Sequence, residues 1–321
     1  MASQDLIVPP LNLPLRLDTF LVRQIPDTSR RFWKTRLQEV VTVNGVRPKK
    51  GMLLHGGERI GFSSEIKIDP LPLPDEQVEV KIVNEDPSFL VVDKPAGIPS
   101  HPLKEGERGT LIQGVLAHYP EIAAVGPSRR EMGLVHRLDN ETSGLILIAR
   151  DDKAYGFLRE EFKRRRVEKE YLALVAGKMR KTGEGKWERI DWPIAHHPKN
   201  KRKMVICVGA GFRPAREGRQ AVTYYKVEKV YPAHTLLRVR IPTGVRHQIR
   251  VHLAQLGYPI VGDVLYGGVG APCKVPLQGR FFLHACRLAF RHPRTLKKEE
   301  CLSGLPQDLT PLLALFAKPS K

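Results

Sequence analysis

Cysteine is scarce in this sequence: of 321 residues only Cys207, Cys273, Cys286 and Cys301 are cysteines, with no Cys-x-x-Cys pair and no histidines at zinc-finger spacing. That scatter argues against a disulfide framework and a structural zinc, and leaves buried free thiols as the expectation. Long apolar runs are missing too. Nothing approaches the roughly 20 apolar residues of a membrane span. Met1–Pro10, interrupted by Asp5, lacks the sustained apolar stretch of a secretory leader. A cytoplasmic protein without membrane contact is expected. Acidic residues are the third shortage, 34 Asp and Glu against 53 Lys and Arg, which gives a formal net charge of +19. A polyanion is then the first partner to consider, and nucleic acid suits that charge better than a membrane. Metal-ligand spacings such as His-Glu-x-x-His are also missing. The glycines at 209–211 and 267–270 lack the pattern of a nucleotide loop, and no repeat of roughly 20 to 50 residues is present.

What is present is ordinary globular usage, 41% hydrophobic and 27% charged. At roughly 150 residues per domain, the length suggests about two domains. The first covers residues 1–65. Leu17, Phe20, Leu21 and Ile25 recur at helical spacing, and Asp27-Thr28-Ser29 supplies a break and an N-cap. Trp33, Leu37, Val40 and Val41 then form the stripe of a second helix whose Arg30, Arg31, Lys34 and Arg36 face elsewhere. Residues 41–47 alternate about Asn44-Gly45, a pair that tolerates the positive φ angles of a hairpin turn. Arg16-Leu17-Asp18, Ser29-Arg30-Arg31 and Val43-Asn44-Gly45, in this order, resemble the S-four-like RNA-binding domain. That resemblance implies that the four basic residues meet phosphates, which fix position and add salt-dependent affinity; a solvated helix face is the plain alternative. Residues 66–77 carry prolines at alternate positions, Pro70, Pro72 and Pro74, and predict an extended linker.

The second domain, residues 78–321, shows strand-like runs at 89–93, 145–149, 171–175, 221–227 and 236–241. A helical stretch at 153–163 places Tyr155, Leu158 and Phe162 on one face. Strands that follow one another directly predict an α+β fold with a mixed, mostly antiparallel sheet. Its densest polar segment, residues 135–144, runs into the apolar run at 145–149. Taken alone, Asp139-Asn140 there reads as a turn former, and Asn140-Glu141-Thr142 as a glycosylation sequon that a cytoplasmic location makes irrelevant.

Five ordered blocks change that reading. Val91–Gly97 with His101-Pro102, His136-Arg137-Leu138-Asp139 with Thr142–Leu145, Lys169–Val175, His247–Leu253 and Gly257–Asp263 together resemble the RluA family of RNA pseudouridine synthases. His136 and His247 set the chain apart from the related RsuA type. One departure is plain: the family usually reads Thr-Gly-Arg-Thr or Thr-Gly-Arg-Ser before His-Gln, whereas Thr243-Gly244 is followed here by Val245-Arg246. The resemblance implies isomerisation of uridine to pseudouridine in structured RNA, with 23S ribosomal RNA the expected target. A transfer RNA target, or a non-catalytic RNA-binding assembly factor, is the alternative. It implies no cofactor and no metal, and action as a monomer is expected.

The reaction breaks the bond from ribose to ring nitrogen and reattaches uracil through a ring carbon, with no redox change. It calls for a charged carboxylate in a pocket holding an extruded base, and a buried carboxylate stays charged only beside a cation. The resemblance gives these roles to Asp139 and Arg250; without it Arg250 could not be chosen over Arg240 or Arg246. It makes Tyr171 a pocket wall that stacks on uracil and moves a proton, and Arg137 the group that fills the gap left by the flipped base. His136 is a loop hydrogen-bonder or an RNA contact, and Arg246 a phosphate contact. The stretches 163–166 and 199–203 are candidate extensions of the RNA track, with solvated loops as the alternative.

Overall fold

The computed structural model describes residues 5–25, 28, 30–63, 71–180, 186–207, 218–267, 277 and 279–317. Within 30–40 the side chains at 30, 31, 34 and 35 fall outside that description. The N-terminal elements are β1 (Leu6–Ile7), β2 (Leu15–Arg16), α1 (Leu17–Gln24), α2 (Arg30–Val40), β3 (Val41–Val43), β4 (Leu53–Leu54) and β5 (Arg59–Phe62). The expected stripes fill one core: Leu17, Phe20, Leu21, Trp33, Leu37 and Val41 are buried together with Leu54 and Ile60. Of the predicted break, Asp27 and Ser29 lie outside the described residues. The Thr28 hydroxyl donates to the Ile25 carbonyl (2.8 Å) and accepts from the Trp33 indole N–H (2.9 Å), tying the end of α1 to the core face of α2.

The Asn44-Gly45 turn forms as expected, with φ of +49° and +78°. Val43 and Val46 exchange backbone hydrogen bonds across it. The hairpin stops there, because Pro48 has no N–H with which to continue a ladder. The long partner of β3 is instead β5, with Val43 opposite Ile60.

Of the predicted linker, residues 64–70 lie outside the description. The rest, 71–77, is docked on the second unit: the Gln113 amide donates to the Leu73 carbonyl (3.2 Å), and the Asp75 carboxylate accepts from the Gly109 N–H (3.1 Å).

The second unit contains β6 (Lys81–Glu85), β7 (Phe89–Lys94), α3 (Leu111–His118), β8 (Ser143–Ala149), α4 (Asp152–Lys163), β9 (Glu168–Ala176), β10 (Glu188–Ile190), β11 (Ile194–His196), β12 (Met204–Ile206), β13 (Thr223–Val230), β14 (His234–Arg240), α5 (Gln248–Gln255), β15 (Leu283–Arg291), β16 (Lys298–Leu302) and α6 (Thr310–Phe316). Its large sheet runs β10-β13-β14-β9-β15-β8-β7-β6, with β16 paired to the far end of β15. The pairing of β8 with β15 is parallel and the other ladders of this sheet are antiparallel, so the α+β, mostly antiparallel expectation holds.

Both faces of the middle strands are covered, which is why β7 and β8 read as nearly unbroken apolar runs. Leu90, Val92, Ile146 and Ile148 enter one core with α3, α5 and α6. Phe89, Val91, Leu145 and Leu147 enter another, under α4. The α4 helix starts where the Asp151 carboxylate caps the Ala154 N–H (2.8 Å), and Leu158 sits at the centre of its buried face. Cys286 and Cys301 are buried and free and Cys207 is half-buried and free; Cys273 lies outside the described residues.

Candidate active site

Where the polar loop enters the sheet, three strands stand in register: Gly144 of β8 pairs with Ala285 of β15, which pairs with Tyr171 of β9. Asp139 sits just before this point, in a turn closed by the Thr142 N–H on its own carbonyl (3.1 Å). Its carboxylate is 25% exposed and accepts from Arg250 Nη1 at 3.0 Å. Arg250 comes from the first turns of α5, 111 residues away, and is buried. The rest of its fork is taken by Asp263, through Nε (2.7 Å) and Nη2 (3.0 Å), and its plane lies against the rings of Phe281 (4.3 Å) and Tyr266 (5.2 Å). This two-point clamp leaves one guanidinium edge, aimed at Asp139.

Burial alone would lower the pKa of Arg250. The hydrogen bonds and charge of Asp263, and then those of Asp139, outweigh that and raise it, so the cation is permanent. Asp263 is itself 1% exposed, and its carboxylate also accepts from the Leu265 and Tyr266 N–H groups. Sequence reasoning placed Asp263 at the end of a block but gave it no role. An acidic residue closing a Gly-rich turn carries no local sign of which cation it will meet.

Tyr171 is buried beside them. Burial first, then the charge of Asp139, hold its phenol above the ordinary tyrosine range, so at neutral pH it is an uncharged hydroxyl. It has no hydrogen-bond partner among the described residues, which leaves it available to a ligand.

Two further residues belong to the site. His247 stands 4.0 Å from the Asp139 carboxylate and hydrogen-bonds Tyr266 Oη (2.9 Å). Burial draws its pKa down to about 4, so it is neutral at physiological pH. Its φ of +55°, in the left-handed region and strained for a residue with a Cβ, lies where the chain enters α5. Lys94, fully buried at the end of β7, donates to the carbonyls of Pro95 (2.8 Å), Ile98 (2.9 Å) and Asn140 (2.8 Å) and so fastens the residue after Asp139. A lysine in the first block was visible in the sequence; that its ammonium serves carbonyls rather than solvent was not.

The other expected site residues separate. Arg137 is exposed. His136 points elsewhere: its Nε2 accepts from the Leu147 N–H (3.0 Å), its ring stacks on Phe162 (4.8 Å), and burial lowers its pKa to about 3. Arg240 is held by Glu170 (2.6 Å) and lies over Trp187, which removes it as a rival to Arg250. Arg246 is exposed and faces the β11–β12 hairpin, donating to the Lys201 carbonyl (3.4 Å).

Within 163–166, Lys163 and Arg164 pair with Glu160 and Arg166 pairs with Glu161. At 199–203 the four cations crown a tight turn in which the His197 ring accepts from two backbone N–H groups. Arg36 packs over Phe32 (5.1 Å); the side chains of Arg30, Arg31 and Lys34 lie outside the described residues. Among the described residues no cluster of three or more His, Cys, Asp or Glu is placed to hold a metal ion, and no helix is long and apolar enough to cross a membrane.

Comparison with known proteins gives the family whose members this chain resembles. The profile of the RNA pseudouridylate synthase family matches residues 88–255. An uncharacterized RNA pseudouridine synthase of Chloroflexus aurantiacus is 38% identical over 94% of the chain and 90% of its own length. The ribosomal large subunit pseudouridine synthase D of Yersinia pestis is 36% identical over 93% of the chain and 90% of its own. Among solved structures, human RNA pseudouridylate synthase domain containing 1 superposes with a TM-score of 0.56 at 27% identity, covering 77% of this chain and 99% of that one.

Proposed function

The chain belongs to the RNA pseudouridylate synthase family, and from that premise we propose that it isomerises specific uridines of 23S ribosomal RNA to pseudouridine. The large-subunit target is supported by relatives named ribosomal large subunit pseudouridine synthase D, 32–36% identical along nearly the whole chain. The observation that carries the chemistry is the Asp139–Arg250–Asp263 row, in which a partly exposed carboxylate stands against a cation that a second, buried carboxylate holds in place.

The uridine leaves its stack and enters beside Asp139. Arg250 orients that carboxylate through its Nη1 hydrogen bond while the carboxylate attacks or stabilises the sugar–uracil adduct. The Tyr171 ring lies under the freed uracil, and its neutral hydroxyl gives a proton to, or takes one from, the ring as the new carbon link forms. Arg137 occupies the gap in the RNA stack and offsets part of the few kcal/mol that unstacking costs. Arg246 and the cations at 199–203 extend a phosphate track along one wall. Residues 1–65 act as an S-four-like RNA-binding unit. Support for this comes from its own core, the Asn44-Gly45 turn and the basic residues of α2.

Carbodiimide mapping of pseudouridine in total RNA tests the assignment, comparing cells lacking the gene, cells with the wild-type copy and cells with an Asp139→Ala copy. Specific 23S positions are expected to lose their signal without the gene and to regain it only with the wild-type copy. Unchanged maps in all three strains would overturn the enzyme reading, and losses confined to transfer RNA would move the substrate there.

A further inference from the structure

Arg137 lies two residues before Asp139 with its side chain exposed, and among the described residues no carboxylate pairs with it. Its partner is a histidine: Arg137 Nη1 is 3.3 Å from His101 Nε2. The other ring nitrogen, Nδ1, is 2.9 Å from the Pro102 carbonyl, which can only accept. Nδ1 therefore carries the ring proton, and Nε2 offers the lone pair that a donor-only guanidinium needs. The ring is fixed, since His101 is 9% exposed. Glu131 approaches the same Nε2 only to 3.8 Å, beyond hydrogen-bond reach.

The neighbouring Ser100 completes a brace. Its hydroxyl donates to the Leu138 carbonyl (3.0 Å) and accepts from the Leu138 N–H (3.3 Å). The Pro99 and Ser100 carbonyls in turn accept from Leu111 (2.9 Å) and Ile112 (3.2 Å) at the start of α3.

We propose that His101 is a positioning residue for Arg137, holding the exposed guanidinium near Asp139 through a hydrogen bond that leaves its positive charge uncancelled. The proposal rests on the reading of Arg137 as the group that enters the RNA stack. A carboxylate at this place would orient the arginine but neutralise it, and solvent would leave it charged but unoriented. Arginine loses much side-chain freedom when immobilised, and a contact made before RNA arrives reduces that loss on binding.

A double-mutant cycle on the full-length protein tests this, with 23S ribosomal RNA transcript tritiated at uridine C5 as the probe and released tritium as the measure of turnover. His101→Phe keeps an aromatic ring but no acceptor, and His101→Gln keeps an acceptor. His101→Phe is expected to lower kcat/KM about tenfold, the scale of one hydrogen bond to a charged group, and His101→Gln to retain most of it. In an Arg137→Ala background His101→Phe is expected to have no further effect. Additive losses in the cycle, or equal activity of the Phe and Gln variants, would overturn the positioning role alone. Wild-type turnover by Arg137→Ala would instead remove the reading of Arg137 on which it stands.

Discussion

Lys94 shows how one residue can couple the fold to the chemistry. Its ammonium has three N–H donors for three carbonyls, and burial draws its pKa from 10.5 down to about 7, with Glu141 opposing that shift, Arg280 adding to it and Asp139 opposing it. Between those two values the unfolded chain holds a proton that the folded chain has released. Stability from this group therefore rises with pH across that window, and its penalty is greatest below about 7. Urea unfolding of the wild type and of Lys94→Met, at pH 7 and at pH 9.5, should show the wild type gaining on the variant as pH rises, by on the order of 1–3 kcal/mol. A difference that stays flat would mean that Lys94 titrates as an ordinary lysine. His136 has the same sign at lower pH: it is held neutral down to about 3, so the unfolded chain takes up its proton first and stability falls as pH drops below the ordinary histidine value.

At the scale of elements, the start of β8 is the sensitive joint. Gly144 has φ of +114°, and a Cβ there would run into the backbone of Ala285 on β15, at the parallel pairing that brings the Asp139 loop beside Tyr171. Gly144→Ala is expected to cost on the order of 2–4 kcal/mol in thermal or urea unfolding and to reduce turnover together with stability. Gly156 is the contrast. It lies exposed within α4 with nothing within 4 Å of a built Cβ, so Gly156→Ala should stabilise by about 0.5–1 kcal/mol and leave turnover alone. Equal effects at the two glycines would show that close approach at β15 does not set the cost. Apolar periodicity revealed β7, β8, β9, β13, β14 and α4. It did not reveal β15, where His284, Cys286 and Arg287 interrupt the pattern: the sheet supplies partners for them, Ser143 for His284 and Glu168 and Glu300 for Arg287.

For the whole molecule, the surplus of positive charge is unevenly spent. Arg238, Arg240 and Arg287 share Glu170, and Lys163, Arg164 and Arg166 at the end of α4 are paired, so net charge overstates the phosphate-binding surface. If residues 1–65 form the S-four-like RNA-binding unit, deleting them should weaken binding to 23S ribosomal RNA. It should also flatten the slope of log affinity against log salt by nearly one unit for each phosphate that is no longer neutralised, while isomerisation of a short uridine-containing RNA continues. Filter binding across a salt series measures the first effect and tritium release the second. An unchanged slope with full activity on intact ribosomal RNA would leave that unit without an RNA role.

Composition, periodicity and turn chemistry by themselves determined the α+β class, the two apolar stripes of the first unit, the Asn44-Gly45 turn and a basic protein suited to a polyanion, because each depends on residues within a few positions of one another. Ordered motifs singled out Asp139, Tyr171 and Arg250 through resemblance. Only the tertiary structure decided that Arg250, and not Arg240 or Arg246, reaches Asp139, that Asp263 holds it there, that Lys94 and His101 brace the loop, and that His136 does not join them. Those contacts join residues up to 111 positions apart. Their partners are chosen by which strands pair and which way α5 is turned, and no local pattern in the chain carries that information.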